Sequence, residues 1–393
     1  MLNRLFSVLR MVCERVGYVE YGASVLEPAE LYKSKNAENE EIINEQTYTF
    51  TDRGDREVTL RPEMTPTVAR MVAAKRREFG YPLRLYSIPN FFRYERPQRG
   101  RLREFWQLNV DIFGSRSLAA DTEIISVAYG VMRALGGSES DFVIKVGSRP
   151  AMNEVAQRAG LSPEATKKFF ALLDRRAKMP TTEFEQNLQA LGVPMAAVSP
   201  DEVPADIAEM LEQFRAGGVG NIVYDPSIVR GFAYYTGIVF EVFDLHPQNN
   251  RAVGGGGRYD NLTALFDDEP MPGVGFAMGD EPLRLFMDAR GLIPPYTPPT
   301  QVYVALAAPE LLPEATTLVQ ELRQAGVCVA QDFGERKLGD QIKAASKHKI
   351  PHLIVVGQDE LTAGAFAVRD LTTGEEEHVG RAELAAYFLT RTI

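Results

Sequence analysis

The chain has 393 residues, 45% of them hydrophobic and 24% charged, which is long enough for two or three domains of ordinary soluble composition. Its formal net charge of −10 excludes a protein that coats nucleic acid by bulk attraction, so any nucleic-acid contact must use local basic patches. The two cysteines, Cys13 and Cys328, are far apart and lack CxxC spacing, which argues against a disulfide framework or a zinc site.

The first 17 residues predict an amphipathic helix that stops at Gly17. Arg4, Arg10, Glu14 and Arg15 would interrupt the continuous apolar core of a secretory signal, so this helix does not resemble one. The chain contains no run of about 18 apolar residues that could span a membrane. We therefore expect no membrane contact and a reducing, cytoplasmic location.

Residues 1–149 mix strands and helices. Strand patterns cover 18–26, 47–51 and 58–61, and a helix is predicted over 65–79. A further helix is predicted to begin after Asp121 as its N-cap and to end at the Gly136-Gly137 pair. The irregular order of strands and helices predicts a largely antiparallel sheet with helices on one side.

The rest of the chain divides into four segments. Residues 150–220 read as a helical insertion, with Ser162 as a cap before a first-turn proline. Mixed character returns over 221–290. Residues 291–300 contain four prolines and predict a semi-rigid linker. Alternating strands and helices over 301–393 then predict a small α/β domain with a partly parallel sheet.

An arginine-rich turn followed by an alternating strand is the most informative part of the sequence. Five arginines fall within residues 93–103, namely Arg93, Arg96, Arg99, Arg101 and Arg103. The strand that follows directs Phe105, Gln107, Asn109 and Asp111 to one face and apolar residues to the other. This pattern predicts a polyanion site beside a pocket for a small polar molecule. The alternative is a solvent-exposed hairpin with a salt-bridged tip.

Three other segments carry candidate chemistry, each with a plainer alternative. Glu63 and Thr65, at a strand-to-helix transition, can hold an α-ammonium group or cap the helix. Arg230 can stabilise phosphate charge, and Tyr234 or Tyr235 can donate a hydrogen bond to a ligand. The alternative is that Arg230 is buried and paired with a carboxylate and that the tyrosines are amphipathic core residues. The four glycines at 254–257 permit close approach of a ligand, or form a flexible hairpin turn.

The residue types at these positions narrow the reaction class. All four histidines lie outside these segments, and no cluster with metal-ligand spacing occurs, so no metal site built from side chains is predicted. Arginines, carboxylates, tyrosines and glycines suit transfer of a phosphate-linked group. In the last domain a basic cluster suits either a nucleic-acid contact or a solvated charged face; it comprises Arg336, Lys337, Lys343, Lys347 and Lys349.

Taken together, the segments resemble the histidyl-tRNA synthetases, a class II aminoacyl-tRNA synthetase family, over essentially the whole chain. FRYERPQRGRLREFWQLNVDIFG resembles the family's motif 2, and LRPEMT its LRPEGT. IVRGFAYYTGIVFE and GGGGRYDNL resemble its two histidine-specific segments, and GVGFAMGDE stands at motif 3. RKLGDQIKAASKHKIPHLIVVGQDEL resembles part of its anticodon-binding domain.

The resemblance implies an α+β fold: a class II synthetase-like antiparallel sheet with flanking helices and a helical insertion, plus a C-terminal α/β anticodon-binding domain. The catalytic core would comprise 1–149 and 221–290, interrupted by the insertion at 150–220. The linker at 291–300 would precede the anticodon-binding domain at 301–393. The implied activity is ligation of L-histidine to its tRNA through a histidyl-adenylate, with ATP and Mg²⁺, by a homodimer.

The resemblance also implies residue roles. Arg93 and Arg230 would be catalytic. Both would also contact histidine, together with Glu63, Met64, Thr65, Gln107, Asp111, Tyr234, Tyr235 and Tyr259. ATP would be bound by Arg93, Glu95, Arg101 and Phe105. Gln98 and Arg99 would contact the acceptor end of the tRNA.

Several positions depart from the family pattern. Asp111 stands where many members have glutamate, Ala233 replaces an aspartate, and Ser24 replaces the motif 1 proline. Pro282 aligns with the motif 3 arginine, and Arg284 lies two residues further on. The chain begins inside the motif 1 helix, which implies a misplaced start or a divergent branch. The alternative function is a non-catalytic histidine sensor, like the regulatory subunit of ATP phosphoribosyltransferase.

Overall fold

The computed structural model describes residues 1–33, 46–96, 98–176, 179–198, 202–229, 234–249, 252–266 and 269–391. Contacts within the chain divide it into two compact units, Met1–Ile293 and Pro294–Ile393. The division falls inside the segment predicted as a linker, 291–300. Each unit has its own hydrophobic core.

A nine-stranded sheet forms the centre of the first unit, in the order β1-β5-β7-β12-β11-β10-β8-β9, with β6 paired to β7. The outer pairs β1–β5 and β8–β9 are parallel, and the inner pairs are antiparallel. Its strands are β1 Val19–Glu20, β5 Leu83–Ser87, β6 Asn90–Phe92, β7 Glu104–Phe113, β8 Phe142–Ser148, β9 Ile222–Tyr224, β10 Ile238–Asp244, β11 Ala252–Arg258 and β12 Gly273–Gly279. A separate small sheet contains β2 Leu26–Pro28, β3 Tyr48–Thr51 and β4 Glu57–Leu60.

Helices of the first unit lie before, between and after these strands. They are α1 Leu2–Arg15, α2 Glu30–Lys33, α3 Thr65–Ala74, α4 Leu118–Ala134, α5 Arg149–Arg158, α6 Pro163–Asp174, α7 Thr181–Ala190, α8 Ala205–Ala216 and α9 Asp280–Asp288. The main core places apolar residues of α1, α4 and α8 against the sheet. A second cluster joins α5, α6 and α7 around Phe169 and Phe184. Within the predicted insertion, α8 therefore contributes to the core of the central sheet, whereas α5, α6 and α7 share a separate cluster.

The second unit is a five-stranded mixed sheet in the order β14-β13-β15-β16-β17. Its first three strands are parallel, as predicted, and the last two add an antiparallel edge that the sequence pattern did not indicate. The strands are β13 Val302–Leu306, β14 Val329–Gln331, β15 His352–Val356, β16 Ala365–Asp370 and β17 Glu376–Gly380. The helices are α10 Leu312–Gln324, α11 Leu338–Lys347, α12 Gln358–Ala363 and α13 Leu384–Thr390.

One predicted helix start is wrong. The N-cap of α4 is Ser117, whose hydroxyl accepts from the amide of Ala119 at 3.2 Å, and not Asp121. Asp121 lies within the first turn and is 3% exposed, because its carboxylate is held by the Arg258 guanidinium of β11. In the part of the chain that the structure describes, no helix combines the length and apolar character needed to cross a bilayer.

Candidate active site

The polar face of β7 is set by the register of the central strands. Gln107, Asn109 and Asp111 pair with Gly279, Ala277 and Gly275 of β12. Residues opposite each other in an antiparallel pair share a face of the sheet. Small residues on β12 therefore leave space above the sheet, beside the polar side chains of β7.

The glycine run is a central strand, so the flexible-turn alternative is wrong. β11 pairs with both β10 and β12. A Cβ added at Gly256 would lie 1.9 Å from the carbonyl oxygen of Gly275, and one at Gly275 would lie 2.3 Å from an Asp111 carboxylate oxygen. Contacts this short are sterically forbidden, so glycine is required for the close strand approach and for the position of Asp111.

A cavity of about 330 Å³ lies on this face. Most of the predicted site residues line it, namely Glu63, Thr65, Arg93, Glu95, Arg101, Phe105, Gln107, Tyr234, Tyr235 and Tyr259. The lining does not include Met64, Asp111, Gln98 or Arg99. Arg230 and Ala233 lie outside the described residues. Residues that are distant in sequence thus converge on one cavity.

Asp111 lies behind the cavity wall and is joined to it by a tyrosine. The Tyr259 hydroxyl donates to the Asp111 carboxylate, which is 4% exposed. Burial raises the pKa of Asp111 to about 7, although the hydrogen bond from Tyr259 opposes the shift. Tyr234 contacts Tyr235 and Tyr259, with ring centroids 4.9 and 5.9 Å apart. A pocket with a buried carboxyl between aromatic rings suits a flat, basic group.

Glu63 projects into the cavity from the loop between β4 and α3. Burial raises the pKa of Glu63 to about 7, opposed by the charge of Arg93 and by a hydrogen bond from the Tyr234 hydroxyl at 3.4 Å. The N-cap of α3 is Met64, and among the described residues no side chain caps this helix. The capping alternative for Glu63 and Thr65 is therefore wrong.

Arg93 lines the cavity and is held there by a main-chain hydrogen bond and an aromatic ring. Its Nε donates to the carbonyl oxygen of Pro62 at 2.9 Å, and its guanidinium carbon lies 5.3 Å from the centroid of the Phe105 ring. Burial lowers the pKa of Arg93, although nearby Glu63 and Glu95 oppose this. An arginine keeps its charge under such a shift, so a poorly solvated cation faces the cavity.

The tip of the arginine hairpin differs from its base. Arg101 and Glu95 form an ion pair with 3.0 Å between nitrogen and oxygen, and Gln98 and Arg101 form an isolated bridge. Arg99 donates to the side-chain oxygen of Asn249 at 3.5 Å. The salt-bridged hairpin alternative describes this tip correctly, but it does not account for the half-buried Arg93, which lines the cavity.

Several residues of the cavity wall were not predicted from the sequence. Asn109 was placed on the correct face without a role, and Glu241, Asp280, Glu281 and Pro282 also line the cavity. Arg284 is held by Glu281 through two hydrogen bonds of 2.7 Å and is not part of the lining. Alternation along β10 could have placed Glu241 on one face of the sheet. The sequence does not show, however, how β10 aligns with β7, and so it could not place Glu241 in the cavity.

In the second unit the predicted basic cluster is exposed. Arg336 pairs with Asp332 at 2.7 Å, and Lys343 with Asp340 at 3.3 Å. Lys337, Lys347 and Lys349 are exposed at the ends of α11. Paired and exposed cations are both present, so the charged-face and nucleic-acid alternatives remain open on geometry alone.

Known proteins and family models match this chain along most of its length. A family model described as histidyl-tRNA synthetase matches residues 2–200 and 182–283, and an anticodon binding domain model matches 301–391. A histidine–tRNA ligase of Leptospira biflexa serovar Patoc is 38% identical over 394 residues, covering 94% of this chain and 90% of the relative. The ligase of Thermoplasma volcanium is 36% identical over 406 residues, covering 98% and 93%.

A crystal structure of histidyl-tRNA synthetase from Nostoc sp. PCC 7120 has a similar fold. It matches with a TM-score of 0.84 and 25% sequence identity, covering 99% of this chain and 95% of that one. The predicted fold class, a class II synthetase-like sheet with flanking helices followed by an anticodon-binding domain, is confirmed. The sheet is mixed, because its outer pairs β1–β5 and β8–β9 are parallel.

Proposed function

Since this chain belongs to the histidyl-tRNA synthetase family, we propose that it is an ATP-dependent histidine–tRNA ligase. In the first step the carboxylate of histidine attacks the α-phosphorus of ATP. An oxygen–phosphorus bond forms, the bond to the β-phosphate oxygen breaks, and pyrophosphate leaves. In the second step a 3′-terminal hydroxyl of the tRNA attacks the carbonyl carbon of the histidyl-adenylate. AMP leaves, and the hydroxyl proton is released.

Histidine would bind at the end of the cavity near Glu63 and Tyr259. Glu63, Thr65 and Gln107 would surround the α-ammonium, which would give the half-buried Glu63 carboxylate a second cationic neighbour besides Arg93. Asp111 and Tyr235 would bind the imidazole, with Tyr234 and Tyr259 beside it, and Met64 would also belong to the histidine site. The raised pKa of Asp111 suits this role, because an imidazole N–H or imidazolium favours the ionised carboxylate.

ATP would bind at the end formed by the arginine hairpin. Arg93 would contact the α-phosphate and, with Arg230, stabilise charge in the pentavalent transition state. Phe105 would stack on adenine, Glu95 would contact its edge, and Arg101 would contact the outer phosphates. The ion pair between Arg101 and Glu95 would have to open for both contacts to form.

We also propose that Mg²⁺ binds together with ATP. Among the described residues no group of three or more His, Cys, Asp or Glu side chains could hold a metal ion. The protein side chains therefore do not by themselves fit a resident metal site. When bound with ATP, the ion would shield phosphate charge and would be held mainly by phosphate oxygens.

The partner would be tRNA, held at two places. Gln98 and Arg99, at the exposed hairpin tip, would contact the acceptor end, and the basic face of α11 would contact phosphates near the anticodon. We also propose a homodimer in the cytoplasm, as the family resemblance implies.

The observation that carries this proposal is the meeting of Arg93, Glu63, Gln107 and Tyr235 at one cavity. Histidine-dependent exchange of pyrophosphate into ATP tests it directly. Folded protein that gives no exchange, and that co-purifies with a phosphoribosyltransferase, would replace the ligase with the regulatory alternative. The relatives at 36–38% identity are ligases, which favours exchange.

The proposed role of Arg230 has its own test. Arg230→Ala should slow adenylation strongly while histidine binding, measured by calorimetry, stays largely intact. Arg116→Ala is a suitable control, because its side chain is 68% exposed and its nearest carboxylate oxygen, on Asp260, is 3.8 Å away. An equal loss of adenylation and histidine binding in the Arg230 variant would contradict the assigned role.

A further inference from the structure

The loop that carries Glu63 is held through its main chain. Pro62 and Glu63 lie between β4 and α3, outside both elements. Arg93 Nε donates to the carbonyl oxygen of Pro62 at 2.9 Å, and the Tyr32 hydroxyl donates to the carbonyl oxygen of Glu63 at 3.2 Å. These two hydrogen bonds hold the main chain of Pro62 and Glu63 in place. They therefore limit the positions that the Glu63 carboxylate can occupy.

Tyr32 is one end of a chain of polar groups inside the first unit. It is 4% exposed, and its hydroxyl lies 3.1 Å from Thr67 Oγ1 in the first turn of α3. Thr67 donates to a carboxylate oxygen of Glu27, itself 3% exposed, at 3.2 Å. Arg70 donates to the same oxygen at 2.9 Å, and its side chain is 42% exposed. This series of hydrogen bonds therefore runs from the cavity loop to the protein surface.

The direction of the protons follows from the groups involved. Each hydroxyl has a single proton to donate, and the Glu27 carboxylate, paired with Arg70, can only accept. The proton of Thr67 is committed to Glu27, which leaves Thr67 Oγ1 as an acceptor. The proton of Tyr32 is then shared between Thr67 and the carbonyl of Glu63. Through this shared proton the Tyr32 hydroxyl links the Glu63 loop to the first turn of α3, and so it holds the loop in place.

We infer that Tyr32 is a positioning residue that holds Glu63 for the α-ammonium group of the amino-acid substrate. The inference rests on the proposed function, because it takes the Glu63 carboxylate as the ammonium partner. Tyr32 does not line the cavity and would touch neither substrate. Its effect should therefore be confined to ligands that carry the ammonium group.

Tyr32→Phe keeps the ring and removes only the hydroxyl. In pyrophosphate exchange we expect the KM for histidine to rise about three- to tenfold, the range for one lost hydrogen bond, with the KM for ATP unchanged. Tyr18→Phe is the matched control, because Tyr18 is also buried, at 3% exposure, and donates to a carboxylate, that of Glu123, at 3.0 Å. The control should leave both KM values unchanged.

Two competitive inhibitors separate positioning from general loosening. Histidinol has the imidazole and the ammonium but no carboxylate, whereas 3-(imidazol-4-yl)propionate has the imidazole and no ammonium. In Tyr32→Phe the inhibition constant of histidinol should rise with the KM for histidine, and that of the propionate should stay the same. Equal weakening of both inhibitors, or no change in either, would overturn the inference.

If Tyr32→Phe does not fold, Arg70→Gln tests the inference instead, because Arg70 is at the exposed end of this series of hydrogen bonds. This variant should raise the inhibition constant of histidinol by a smaller factor and leave that of the propionate unchanged. An equal increase for both inhibitors, or no change in either, would again overturn the inference. Failure of the ligase proposal gives a different result, since the unmodified protein would then show no histidine-dependent exchange.

Discussion

Glu63→Gln should stabilise the protein and weaken histidine binding. Burial raises the pKa of Glu63 from its ordinary 4.5 to about 7. When the folded pKa of an acid exceeds the unfolded one, the folded state binds more protons between the two values, so stability falls as pH rises through this window. The shift corresponds to about 3 kcal/mol at pH 8 as an upper limit. Glutamine avoids this cost and still accepts from Tyr234.

The same change removes the charge partner of the α-ammonium group. Hydrogen bonds to charged groups contribute about 1.5–3 kcal/mol, so the KM for histidine should rise at least about tenfold at pH 8. The KM for ATP should change less than the KM for histidine, because the proposed contacts to adenine and the outer phosphates involve Phe105, Glu95 and Arg101 and not Glu63. Stability and substrate affinity thus move in opposite directions.

Urea unfolding at pH 8 and pH 5, together with pyrophosphate exchange at pH 8, measures both effects. The gain in unfolding free energy should be largest at pH 8 and shrink towards pH 5, where the native carboxyl is already protonated. Glu123→Gln is the matched control. The Arg84 guanidinium, 2.7 Å away, lowers the pKa of Glu123, so this variant should lose stability at pH 8 and keep its KM. A Glu63→Gln protein that is less stable at pH 8, or has an unchanged KM, would refute the reasoning.

Three further predictions concern other parts of the chain. Arg284→Ala should leave the KM for ATP unchanged in pyrophosphate exchange, because Glu281 holds its guanidinium; a large increase would mean that Arg284 turns towards the nucleotide. Gly256→Ala should lower the unfolding free energy in urea by at least about 2 kcal/mol, whereas Gly22→Ala, with no atom within 4 Å of the added Cβ, should change it little. Lys347→Glu should raise the KM for tRNA and reduce its salt dependence without affecting exchange, and an unchanged KM would leave this face as solvated surface.

The sequence predicted those features that depend on local pattern. Alternation over residues 104–113 correctly placed Gln107 and Asp111 on the face opposite Leu108, and the proline-rich segment contains the division between the two units. Features that depend on distant partners were missed. Glycine has no strand preference, so only pairing with β10 and β12 shows that residues 254–257 form a strand. Asp121 is a good N-cap residue by type, but Arg258, 137 positions away, holds its carboxylate.

The departure at motif 3 changes how charge is distributed in the cavity. Pro282 contributes an uncharged wall, and Arg284 is directed to Glu281, so α9 supplies no free guanidinium among the described residues of the cavity. The cationic side chains that line it, Arg93 and Arg101, both belong to the hairpin. Arg101 is paired with Glu95, which leaves Arg93 as the poorly solvated cation. Among the described residues, the cations available to phosphate in the proposed reaction therefore come from one strand and its turn. Arg230, the other arginine proposed for this role, lies outside the described residues. In the proposed reaction, opening of the pair between Arg101 and Glu95 would be part of nucleotide binding.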